Sequence, residues 1–88
     1  MEPELAIQWS PRAIRDMRRI APPDRQRIIA RIEQYAADPE SLVNQVIMLA
    51  NSRYRRLRVG DHRVIFDVER GTHTMSVLRV RHRREAYD

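Results

Sequence analysis

Gly60-Asp61 stands between two runs that alternate apolar and polar residues, RRLRV before it and HRVIFDVE after it. A glycine-led dipeptide between such runs is the sequence signal of a two-residue β-hairpin loop. It constrains the fold more than any other feature of the chain, because it sets which residues lie opposite one another. On this register Val59 faces His62, Arg58 faces Arg63 and Leu57 faces Val64. Side chains alternate across a strand, so Leu57, Val59, Val64, Phe66 and Val68 share one face. Arg56, Arg58 and Arg63 share the other. Arginines directly opposite one another repel, at a cost of some tenths of a kcal/mol. A sheet face that tolerates this pairing is suited to holding an anion. The alternative is that the guanidiniums splay into water or pair with Asp67 and Glu69.

The rest of the chain supplies partners for the apolar face. ELAIQW reads as a short strand with Leu5, Ile7 and Trp9 on one side. Ser10-Pro11 is an N-cap followed by a first helical residue. Ala13, Ile14, Met17, Ile20 and Ala21 then recur at helical spacing, and Pro22-Pro23 is expected to end that helix. A second helix is expected from Asp24, with Ile28, Ile29, Ile32, Tyr35 and Ala36 as its stripe and Asp38-Pro39 as its stop. The two helices form an αα-hairpin. ESLVNQVIMLANS is ambiguous, read as a helical turn and then a strand around Val46 to Leu49. Strands follow at Arg55 to Val59, His62 to Glu69 and Thr74 to Val80, and RHRREAYD is a short polar tail. The expected fold is α+β, in the order β-α-α-β-β-β, with a twisted antiparallel sheet packed on the αα-hairpin.

Eighty-eight residues suffice for one small domain, here 1–88, with a thin core that a covering partner would stabilise. Cysteine is absent, which excludes disulfides and thiolate chemistry. No apolar run is long enough to span a bilayer, so no membrane partner is expected. Seventeen basic residues against 12 acids give a net charge of +5, and every basic residue is arginine. Arginine forks onto phosphate oxygens as lysine does not. Arg25, Arg27 and Arg31 are read as a solvated face. The cluster from Arg53 to Arg84 is read as convergent.

If the last strand pairs beside the second strand of the hairpin, the tail adds His82, Arg83, Arg84 and Tyr87 to the arginine face. Arginine stabilises a phosphorane-like transition state but barely exchanges protons, its pKa being above about 12. Proton transfer on this face would fall to His82, Tyr87 or a carboxylate. The histidines are scattered, with no metal-ligand spacing and no phosphate-binding glycine loop. The cluster suits binding of a phosphodiester, and its cleavage.

YRRLRVGDHRVIFDV followed by VLRVRHRREAY resembles the RelE/ParE superfamily of bacterial toxins, and within it the RelE branch. SPRAIRDMRRI and the Asp-Pro after the second helix fit too, so the resemblance spans nearly the whole chain. It implies a RelE-like fold and the toxin of a type II toxin–antitoxin pair, cytoplasmic in a bacterium or archaeon. Such toxins enter the ribosomal A site and cut mRNA through attack by the RNA 2′-hydroxyl, with no metal or other cofactor. Carried over residue by residue, the resemblance places the catalytic positions at Arg56, Arg58, Arg63, Arg83 and Tyr87, with His82 added from the chemistry. Arg53, Arg55, Arg81 and Arg84 are expected to bind the nucleic acid around them. Lysine is common where Arg56 and Arg58 stand, and tyrosine where His62 stands. His82 is therefore the expected proton-transfer group, with Tyr87 stacking on a base. The implied partners are an acidic antitoxin encoded by the adjacent gene, the ribosome with its mRNA, and operator DNA reached through the antitoxin. The antitoxin is expected to lay apolar anchors on the αα-hairpin around Met17 and Tyr35. The alternatives are a ParE-like inhibitor of DNA gyrase, or a decayed toxin that only binds its antitoxin and represses their operon.

Overall fold

The computed structural model describes residues 4–85. The elements run β1 (Ala6–Trp9), α1 (Pro11–Arg18), α2 (Pro22–Ala37), a 3-10 segment (Pro39–Gln45), β2 (Val46–Met48), β3 (Arg55–Val59), β4 (His62–Glu69) and β5 (Thr74–His82). They form one five-stranded sheet in the order β1-β5-β4-β3-β2. The α+β expectation holds, and the ambiguous segment resolves into a 3-10 turn and the edge strand β2. The antiparallel expectation holds for β2 to β5. β1 departs from it, lying parallel to β5 with Trp9 beside Val77. The helix pair carries the chain from β1 to β2 at the opposite edge, and three antiparallel steps from β2 then bring β5 alongside β1 in the same direction.

The prolines start the second helix rather than ending the first. Pro22 forces Ala21 into an extended conformation (φ −60°, ψ 144°) and itself supplies the first residue of α2. Helix α1 has already closed at Arg18, its last turn tightened by the Arg19 amide donating to the Asp16 and Met17 carbonyls. Ile20 and Ala21 thus lie in the turn between the helices. The Arg25 guanidinium donates to the Ile20 carbonyl from Nη2 at 2.9 Å, which satisfies an acceptor of that turn.

The core lies between the helices and one face of the sheet. Ala13 and Met17 of α1, with Ile28, Ile32 and Tyr35 of α2, pack on Leu57, Val59, Val64, Phe66, Met75, Val77 and Val80. Tyr35 meets the Phe66 ring edge-on at 4.9 Å between centroids. Among the described residues no polar or charged side chain is buried. The hairpin register is the expected one, Val59 opposite His62 and Arg58 opposite Arg63. Gly60, at φ +57°, takes the left-handed conformation that the first turn position requires.

β5 carries a bulge. Phe66 pairs with Val77 and Ile65 with Arg79, so Leu78 is an extra residue. Helix α1 satisfies the backbone that the bulge and the end of β1 expose. Ser10 caps α1 by accepting from the Ala13 amide, and its hydroxyl donates to the Leu78 carbonyl at 2.8 Å. Asp16 Oδ2 accepts from the Val80 amide at 2.9 Å and from Arg79 Nε at 2.9 Å. Burial pushes the Asp16 carboxyl up, but these two hydrogen bonds and the charges of Arg79 and Arg81 outweigh it. Its pKa is held below the usual carboxylate value. A lowered folded pKa contributes stability above the unfolded value, near about 3.9, and loses it as pH falls through the folded one. Asp16→Ala is expected to cost about 1–3 kcal/mol at neutral pH, because it strands a backbone amide and an arginine. Denaturant melts should show the gap from the parent narrowing on acidification below about pH 4.

Candidate nucleic-acid interface

The face of the sheet turned away from the helices carries the arginines in rows. Arg58 pairs with Arg63, and Arg63 with Arg81, so three strands place three arginines side by side. Strands lie about 4.8 Å apart, so the row spans roughly 10 Å. The next row is Ile47, Arg56, Ile65 and Arg79. Arg56 thus sits between two aliphatic residues, and its Nε is buried with no hydrogen-bond partner. Burial, followed by the charges of Arg63 and Arg58, pushes the Arg56 guanidinium below its ordinary value. A desolvated guanidinium with an unused donor is arranged to receive an anion.

The acids of this face do not neutralise the row. Arg53 bridges to Asp67, and its Nη2 lies 3.9 Å from Glu69. Asp67 pairs with Ser76 and Glu69 with Thr74, further along the strands than the arginine rows. The face therefore has a compensated end and a cationic end.

The other sequence-derived positions divide clearly. Arg83 joins the cluster. Its amide donates to the Asp61 carbonyl at 2.7 Å, and its guanidinium lines a shallow recess with Arg58 and Arg63. Arg81 is in the row itself, its Nη2 donating to the Glu85 carbonyl at 2.8 Å. Arg53 is engaged by Asp67, and Arg55 is elsewhere, donating to the Tyr35 hydroxyl at 3.0 Å. Arg84 is exposed on the turn after β5. Tyr87 lies outside the described residues.

His82 is not brought together with the arginines. It pairs with His62, which pairs with Val59, so both imidazoles occupy the helix side of the sheet. The rings meet edge to face at 5.3 Å. The bulge is the physical reason. Alternation continued from Met75 and Val77 would place His82 on the arginine face, but the extra residue Leu78 inverts the parity. The inversion puts Arg81 on the cationic face instead. Tyr54 is a residue the sequence reading missed. Its carbonyl accepts from the Leu49 amide, extending the β2–β3 pairing, so it shares the parity of Arg56 and Arg58 and is exposed. Strand parity counted back from Arg56 would have found it.

Among the described residues no three of His, Asp and Glu converge as metal ligands. Fixed guanidinium charges in this arrangement are suited to holding an anion and to stabilising negative charge that builds on it.

A family model described as "ParE toxin of type II toxin-antitoxin system, parDE" matches residues 7–87, and the chain belongs to this family, within the RelE/ParE superfamily. Its fold is similar to that of the archaeal RelE–RelB complex from Pyrococcus horikoshii (TM-score 0.79, 18% identity), covering 96% of this chain and 100% of that one. It is also similar to the RelB–RelE antitoxin–toxin complex from Methanococcus jannaschii (TM-score 0.74, 24% identity, 91% and 94% covered). A mutant of the E. coli toxin RelE in the free state is a third match (TM-score 0.76, 13% identity, 96% and 88% covered). No curated protein matches the chain.

The like-charge row predicts an unusual stability effect. Arg58→Gln should hold or raise the melting midpoint at low salt, by some tenths of a kcal/mol, since it relieves repulsion with Arg63. The gain should vanish as salt screens the pair, which thermal melts across ionic strength would show. A clear loss at low salt would mean that the row is not repulsive.

Proposed function

We propose that this toxin is a ribosome-dependent mRNA endonuclease. The observation that carries the reading is the Arg58–Arg63–Arg81 row, with the desolvated Arg56 beside it and Arg83 at its end. The guanidiniums bind the phosphodiester and stabilise the phosphorane formed when the adjacent 2′-hydroxyl attacks phosphorus. The 2′-oxygen–phosphorus bond forms and the bond to the 5′-oxygen breaks. One proton leaves the 2′-hydroxyl and one reaches the departing 5′-oxygen. Tyr87 of the terminal motif inherits the proton-transfer role, because His82 lies on the opposite face. Tyr54 and the exposed Ile47 offer base-stacking and apolar surface next to the phosphate grip.

The match to the ParE family model favours a second reading, inhibition of DNA gyrase. Inducing the chain alone separates them. Broken transcripts on translating ribosomes support the first, and intact mRNA with failed supercoiling supports the second. Unimpaired growth would leave a chain that acts only in antitoxin binding and operon control.

The partner in either case is an acidic antitoxin from the adjacent gene, acting in the cytoplasm. Solved relatives are complexes of RelE with RelB. The anchor positions expected on the helices need correction. Met17 and Tyr35 are 7% and 5% exposed, while Ile14 and Ile29 are 41% and 37% exposed. Tyr35 points into the core because its helix packs there, whereas Met17, though mostly buried, also lines the groove on the outer face of the helices. Trp9, Ile14, Met17 and Ile29 line a groove bordered by Arg18 and Arg25, which suits an amphipathic acidic helix, so the expected surface around Met17 stands and that around Tyr35 does not. Association should slow as salt rises while dissociation stays slow. Stopped-flow binding of the adjacent gene's product would measure both.

Arg63→Ala is expected to abolish growth arrest while leaving circular dichroism and antitoxin binding intact. Arg63 is central in the row, and its removal deletes a phosphate contact without opening the core. Continued arrest at matched expression would place the active surface elsewhere.

A further inference from the structure

His82 closes a small knot of hydrogen bonds at the tip of the arginine hairpin. Its Nδ1 accepts from the Arg84 amide at 3.2 Å. Its carbonyl accepts from the Glu85 amide at 2.8 Å. Between these two bonds the Arg83 amide donates to the Asp61 carbonyl at 2.7 Å, and the Arg83 guanidinium lies 3.7 Å from the Asp61 carboxylate. The turn after β5 thus delivers Arg83 to the recess that Arg58 and Arg63 line.

A side chain accepting from the amide two residues ahead has the geometry of an Asx-turn, with an imidazole in place of the carboxamide. The geometry demands a lone pair on Nδ1. A protonated imidazole carries a hydrogen on both nitrogens and can accept from neither.

We infer that His82 is a positioning residue, whose neutral imidazole holds Arg83 on the arginine face by way of the Arg84 amide and whose protonation opens that turn. The inference rests on the proposed cleavage activity only for its functional readout.

The surroundings do not replace the lost contact. His82 borders a cleft of about 460 Å³ between the hairpin tip and the helices. From β4 it meets the His62 ring. The aspartates of the cleft already face arginines. Asp61 of the turn faces Arg83, Asp16 of α1 faces Arg79, and Asp24 of α2 lies 3.7 Å from Arg27. Glu85 belongs to the turn itself and acts on Arg79, and Arg19 adds a further cation to the wall. A protonated His82 therefore meets aspartates already paired with arginines and a Glu85 that shares Arg79 with Asp16, while the Arg84 amide loses its acceptor.

Two variants and one probe test this. Amide exchange at Arg84 is followed by NMR in the full chain at about pH 7.5 and about pH 5.5, as protection relative to an unstructured peptide at the same pH. Protection should fall by about 2- to 10-fold on acidification, the range of one net hydrogen bond. His82→Asn keeps an acceptor at the right place and does not titrate, so its protection should not change with pH. His82→Leu should show the low value at both. In single-turnover cleavage on ribosomes, His82→Asn should retain the rate and lose the acid-side decline, whereas His82→Leu should be impaired throughout. Constant Arg84 protection in the parent chain overturns the inference. So does a loss of about 100-fold or more in His82→Asn with its turn still protected, since that assigns proton transfer to the imidazole. If the parent chain cleaves nothing, the proposed function fails and the exchange measurement still decides the turn.

Discussion

A slip of one residue between β3 and β4 would turn one of the two strands over, carrying Arg56 and Arg58, or else Arg63, into the core and their apolar neighbours out to water. Everything else in the structure depends on that asymmetry. Burying an uncompensated guanidinium costs several kcal/mol, whereas opposing two of them at the surface costs some tenths. The apolar face therefore enforces a register that the cationic face, left to itself, would abandon. The repulsive row persists because the energy that holds it comes from the other side of the same strands. A site built this way is preorganised, since the charges are already gathered before any anion arrives.

The bulge at Leu78 and the start of α1 extend this logic to the third strand. β1 accompanies β5 only as far as Val77, and beyond that the edge of β5 would present bare backbone. Ser10 and Asp16 cover it from a single helix. Asp16 also draws Arg79 towards α1, while the register after the bulge sets Arg81 beside Arg63 in the cationic row.

Most of the hairpin was legible in the sequence. Gly60-Asp61 and the alternation around it set the Arg58–Arg63 pairing, and the helical stripes of Ile28, Ile32 and Tyr35 named much of the core. The helix boundary misread at Pro22-Pro23 has a simple origin, since a proline that ends one helix is locally indistinguishable from one that begins the next. His82 was misplaced because alternation carries no marker of an inserted residue. The bulge is stabilised by Ser10, 68 positions away from Leu78 in the chain, and no local pattern reports it. The parallel docking of β1 is likewise non-local. Its short run fits either direction, and the antiparallel succession from β2 to β5 decides. Arg55 shares the parity of Leu57, so alternation already sets it apart from Arg56, whereas Arg53 precedes the strand and carries no such marker. Their partners, Asp67 and the Tyr35 hydroxyl, come from other elements.

The pairing of β1 with β5 has a consequence for how such a chain is made. Of the described strands, β1 is the first synthesised and β5 the last, and they lie side by side. β5 brings Met75, Val77 and Val80 to the core and Arg81 to the cationic row. A nascent chain that has displayed both helices and the β3–β4 hairpin still lacks the strand that unites them. Closing so distant a contact is the slow step in folds of this kind. The charged surface is therefore completed only when β5 docks between β1 and β4.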